Sequence, residues 1–207
     1  MGETKKKPYY KSDTCEVSRM ENETGDGIST AFRVFPGIYL LHSDFHMQEC
    51  PTVKSDDADI LWLDFCREGR VEWEISKDKY VYLESGNYVI DIRAGRKFTL
   101  HFPMGHYHGI SLRIHMKEAN QALADFIKGV NIDVYTIRDK FLSEGQPFIT
   151  KGNEIIHHIF EEIEQVPWDS SGEYYKIKVL EILFQLKNME RPKEQIERPY
   201  FVKQQVE

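Results

Sequence analysis

The chain has 207 residues, 41% hydrophobic and 29% charged, with a formal net charge of −7. That size suits one domain, or one domain with an appended subdomain, and the composition is ordinary for a globular chain. The acidic balance makes it a poor non-specific ligand for DNA, because phosphate binding runs on Lys and Arg.

The start, Met-Gly-Glu-Thr-Lys-Lys-Lys, has no apolar segment behind its basic cluster, which argues against a signal peptide. Residues 1–30 are polar, with Gly25-Asp26-Gly27 near their end, and read as a flexible N-terminal arm. From Ala31 to about residue 116 the pattern is that of strands. Pro36-Gly37 divides two short apolar runs, and Ile60 to Cys66 is apolar apart from Asp64. Arg70 to Ile75 alternates strictly, with Val71, Trp73 and Ile75 on one face and Arg70, Glu72 and Glu74 on the other. Tyr80 to Leu83, Tyr88 to Ile92, Phe98 to Phe102 and Gly109 to His115 follow, each bounded by turn residues. Short strands at about 8–12-residue spacing indicate a sandwich or a barrel.

After residue 116 the period changes. Lys117 to Lys128 reads as a helix with Ala119, Leu123 and Ile127 on one side, stopping at Gly129, and residues 130–150 are mixed. A second helix starts near Asn153, a good cap, with Ile155, Ile156, Ile159, Phe160 and Ile163 as its stripe. Asp169-Ser170-Ser171-Gly172 offers caps for a third, about Glu173 to Met189. Its apolar positions cover most of its girth, so it must be covered on two sides. Either a second subunit covers Val179, Ile182, Leu183 and Leu186, making a homodimer interface, or the chain's own core does. Residues 117–190 are therefore assigned to a helical dimerisation subdomain. Residues 191–207, with Pro192 and Pro199, look like a linker. No run approaches the ~18 apolar residues of a membrane-spanning helix. Cys15, Cys50 and Cys66 form no Cys-x-x-Cys pair, as expected of free thiols in the cytoplasm.

Phosphate loops, Gly-x-Ser-x-Gly and His-Glu-x-x-His are missing from the sequence. His157 and His158, adjacent on a helix, point about 100° apart and are badly placed to chelate together. His106 and His108 share a face if they lie on a strand. Pro103-x-Gly105-x-x-His108 matches the short second motif of metal-binding cupins. The counterpart of the first motif, Trp62-Leu-Asp64-Phe-Cys-Arg-Glu68, lacks both of its histidines. No bound metal and no cofactor are expected on that ground. His106, His108 and Asp64 are candidates to line a ligand pocket or barrel mouth, with structural histidines as the alternative. Glu72 and Glu74 flank Trp73. They form the solvent side of a half-buried strand or, if that face points inward, hold a cationic or polyhydroxyl ligand.

Taken together, Cys66 to Glu74, Tyr82 to Asp91 and Phe102 to Gly109 resemble the N-terminal domains of AraC-type transcriptional regulators. Ile155 to Ile163 and Tyr174 to Phe184 are similar to the helices that follow those domains, and Arg198 to Glu207 resembles the linker into their paired helix-turn-helix domain. The resemblance implies a mainly β fold with C-terminal helices. Its core is a cupin-like β-barrel of the double-stranded β-helix type (residues 31–116), followed by a helical hairpin. It also implies a non-enzymatic bacterial sensor that binds a small effector, a sugar or other polar metabolite, through Asp64, Glu72, Trp73, Glu74, His106 and His108. The sensor would act as a homodimer and touch DNA only through a C-terminal domain outside these residues. The alternative is a metal-dependent cupin enzyme, an isomerase or a dioxygenase.

Overall fold

A computed structural model describes residues 5–52, 54–142, 145–166, 171–192 and 200–201. The order is β1 (Lys5–Lys11), β2 (Cys15–Asn22), β3 (Gly25–Phe35), β4 (Ile38–His46), β5 (Glu49–Pro51), β6 (Ile60–Ser76), β7 (Lys79–Glu84), β8 (Asn87–Asp91), β9 (Thr99–His101) and β10 (Tyr107–His115). Then come α1 (Met116–Phe126), α2 (Val134–Phe141), β11 (Phe148–Lys151), α3 (Glu154–Gln165), α4 (Ser171–Asn188) and β12 (Tyr200–Phe201). The architecture is mostly β: a curled antiparallel sheet, half of a barrel, with a few helices after it.

The sheet runs β1-β2-β3-β4-β10-β6-β7, and β6 is its spine. The first part of β6 pairs with β10 and β8, and its second part with β7 and β9. Between them sits Gly69 at φ 83°, where a Cβ would lie 2.4 Å from the His106 carbonyl oxygen. Only glycine accepts both the backbone angle and that approach.

Alternation divides the side chains between two cores. On β10, Ile110, Leu112 and Ile114 join Leu40 of β4, Leu61, Leu63 and Phe65 of β6 and the buried stripes of all four helices. On the other face Phe45, Val71, Trp73, Val89, Phe98, Phe102 and Tyr107 form a second cluster inside the curl. Asn153 caps α3, its side chain accepting from the Ile156 amide at 2.8 Å, and Asp133 caps α2 through the Tyr135 amide at 2.9 Å.

Three expectations differ from this arrangement. Residues 5–30, expected as a flexible arm, form β1, β2 and most of β3. Their inner face (Glu16, Ser18, Met20, Ser29) mixes polar residues with Met20 along one wall of a cavity, so no clean apolar alternation marks these strands. Val179, Ile182, Leu183 and Leu186, expected at a subunit interface, are 0–3% exposed within the chain's own core. The exposed apolar residues of α4 are Ile177 and Phe184. The mixed stretch 130–150 holds α2 and β11, and β11 returns to the sheet to pair with β8. Of the tail expected as a linker, residues 193–199 and 202–207 lie outside the described residues, and so do Asp169 and Ser170. Tyr200–Phe201 pairs with β7. No described helix is long and apolar enough to cross a membrane.

Candidate functional site

The curl forms a half-open cavity of about 530 Å³, within the range of small-molecule sites. β2, β3, β4, β6 and β10 each turn alternate residues into it, so the strands' period of two builds the wall. Trp62, Trp73, Phe45, Phe98 and Tyr107 supply aromatic surface. Phe45 and Phe102 stack at 5.3 Å between centroids, and Phe102 and Tyr107 at 5.6 Å. Ser18, Ser29, Ser43 and Ser111 stand between them as small hydroxyls.

Charge on the wall is uneven. Arg93, Arg96, Lys97 and Arg113 line the cavity against the carboxylates of Glu16 and Asp64. Arg93 is the hub. Its guanidinium bonds Asp64, lies 3.6 Å from Asp91 Oδ2 and stacks over Trp62 at 4.7 Å. Arg96 holds the other oxygen of Asp91 at 2.6 Å. Burial works against the charge on Arg93, but Asp64 and Asp91 outweigh it and keep the guanidinium firmly protonated. Burial likewise pushes the Asp91 carboxyl up, although Arg93 and Arg96 pull it the other way. It raises the Tyr107 hydroxyl well above its usual value, with Asp64 adding to the effect.

Three lining residues carry buried nitrogens without a hydrogen-bond partner, Trp73 Nε1, Arg93 Nε and Arg113 Nε, of which Arg93 Nε faces the Asp91 carboxylate at 3.6 Å. An unmade bond at a buried donor costs roughly 1–3 kcal/mol, and these nitrogens are covered, so a bound acceptor gains that bond only if the wall shifts to uncover them.

Of the sequence candidates, Asp64 and Trp73 meet in this cavity. Glu72 and Glu74 take the opposite face of β6, with Glu72 at 2.6 Å from Arg70 and Glu74 accepting from the Asp78 amide at 2.8 Å. His106 lies 3.7 Å from Glu68, and His108 is 2.9 Å from Asp44; neither lines the cavity. The set a cupin metal would take from this sequence (Asp64, Glu68, His106, His108) is therefore not brought together. Asp64 faces inward, held by Arg93, and the others do not. The residues do not fit that group. Sequence reasoning passed over Arg93, Arg96 and Arg113, although Arg113 alternates with the apolar residues of β10.

No protein-family model matches the chain, and no curated protein does. Among solved structures it is similar to the AraC-like transcriptional activator CuxR, at 12% identity and a TM-score of 0.45, over 90% of this chain and 66% of that one. It is similar to ToxT from Vibrio cholerae at 10% identity and 0.43, over 72% of this chain and 56% of that one. A third is an HTH_3 family transcriptional regulator from Vibrio cholerae, at 8% identity and 0.34, over 42% of this chain. The chain spans about half the length of that regulator. Likeness at this level assigns the chain to no family and names no ligand.

Proposed function

We propose that this chain is the effector-binding part of an AraC-like transcriptional regulator. The cavity takes a small polar metabolite, a sugar or sugar-like acid, and DNA contact belongs to a separate helix-turn-helix domain. The observation that carries this reading is the cavity of about 530 Å³ with aromatic walls, four cationic side chains and the unbonded nitrogens of Trp73 and Arg113. Arg93 and Arg96 are engaged by Asp64 and Asp91, and the cations that remain, Lys97 and Arg113 against Glu16, favour a ligand with an anionic group. β4, β6 and β10 carry cavity side chains on one face and helix-core side chains on the other. A ligand that draws the wall inward therefore biases how the helices pack, which is a population shift between two arrangements. Pairing of two copies is part of the reading. It falls to the exposed face of α4, at Ile177 and Phe184, since the four residues first expected there are already buried.

Calorimetry against a panel of sugars, sugar acids and small carboxylates tests it. A saturable ligand is expected, weakened about tenfold or more by Trp73→Phe, which removes the indole N–H and part of the aromatic wall, and by Arg113→Ala. A panel hit whose affinity both variants leave unchanged refutes this placement of the site.

A further inference from the structure

A second site lies on the opposite face of the sheet. Asp44 and His46 stand two apart on β4 and share a face. His108 of β10 is the cross-strand partner of Asp44. His46 Nε2 and His108 Nε2 both approach the same oxygen, Asp44 Oδ1, at 2.9 Å. The two rings are nearly perpendicular, 5.6 Å apart. The three ligand atoms all lie within 4.8 Å of one another.

We propose that Asp44, His46 and His108 form a binding site for a zinc-class divalent ion. The donor set is two imidazole nitrogens and one carboxylate oxygen, which suits zinc and its transition-metal neighbours and not magnesium or calcium. In a tetrahedral site with bonds of about 2.0 Å, donor atoms sit about 3.3 Å apart. The two O–N separations need to open by only a few tenths of an ångström, within reach of side-chain rotation. The strand backbones fix two of the three ligands directly across a ladder, so little ordering remains to be done on binding. Asp44 and His46 are exposed and His108 is half-buried, which leaves the fourth position open to solvent. Glu68 lies across from His108 on the other neighbouring strand and adds negative potential. Without an ion, this arrangement is a pair of mostly exposed imidazole–carboxylate contacts, worth little to stability.

The test is zinc chloride titrated into the metal-free full chain by calorimetry, with magnesium chloride as control. One zinc per chain is expected, with no saturable magnesium binding. His46→Ala and His108→Ala should each weaken zinc by at least the 10–100-fold that even an outer-shell change costs. His158→Ala, a distant exposed histidine on α3, should leave it unchanged. His46 is exposed, so His46→Ala folds normally, and a circular dichroism melt checks this. Zinc binding that is weak and non-stoichiometric, or that survives His46→Ala in the folded variant, overturns the proposal. The site is independent of the cavity: Trp73→Phe should weaken effector binding and keep zinc.

Discussion

Replacing Arg93 with methionine keeps the aliphatic stem and removes the charge at the centre of the cavity wall. Asp64 and Asp91 side chains are 10% and 3% exposed, so their carboxylates then face each other with one cation fewer. Breaking a buried ion pair from one side costs about 3–5 kcal/mol. Arg96 still holds Asp91 at 2.6 Å, so the damage falls mainly on Asp64 and the low end applies, about 3 kcal/mol. The lost stacking on Trp62 adds about 0.5–1 kcal/mol. For a chain of this size each kcal/mol lowers Tm by about 2–4 °C, which gives a fall of roughly 7–16 °C. Urea unfolding at neutral pH, followed by circular dichroism, measures the loss directly. Adding Asp64→Asn to Arg93→Met should recover part of it, because the stranded carboxylate is what costs. A loss below ~1 kcal/mol, the value of an exposed pair, or a double variant no better than the single, would refute the buried-hub account.

Ile182→Lys should unfold the chain and not yield a folded monomer, because Ile182 is fully buried and a lysine there strands its charge; light scattering with circular dichroism separates the two outcomes. Gly69→Ala should cost about 2 kcal/mol or more, from the positive φ and the 2.4 Å approach to the His106 carbonyl, read from denaturant midpoints. Asp133 titrates in a way that stability reports. Burial opposes its charge, but bonds from Asn120, Tyr135 and Thr136 win and hold its carboxyl below the usual carboxylate range. Its contribution is therefore complete above the unfolded value of about 3.9 and is lost as pH falls through the lower folded value. Asp133→Asn should flatten the acid limb of the stability profile; an unchanged limb would show that the cap does not titrate as described.

Much of the fold was legible because its signals are periodic. The strict alternation of Arg70 to Ile75 placed Val71 and Trp73 on one face, and the stripe Ile155, Ile156, Ile159, Phe160 and Ile163 with an Asn153 cap marked α3 within a residue, although Ile155 is exposed and only the other four are buried. What escaped notice had no apolar period to show. β2 turns the polar Glu16 and Ser18 toward the cavity, so it reads as loop. α4 is apolar nearly all round, which says that it is covered but not by what; the covering turned out to be β3, α2 and α3 of the same chain. At the cavity, Asp64 was singled out through the cupin-motif comparison and Trp73 through strand parity, and both line it. His106 and His108 were chosen for their chemistry, and parity across the β4–β10 ladder sends His108 to the other face with Asp44. The arginines were missed because a charged residue on an alternating strand looks the same whether it faces bulk solvent or lines an inward-facing cavity.

The return of β11 to the sheet has a practical consequence for anyone dividing this polypeptide. A fragment ending near residue 116 would keep every strand of the curl up to β10 yet strip the outer border of β8, leaving four residues' worth of ladder bare and Tyr88 and Ile90 without their cover. Such a border is a template for another chain. The fragment should therefore clump, and proteolysis of the intact protein should release no stable β piece. Sheet and helices are sewn together by that short strand, and amide exchange should show them opening together.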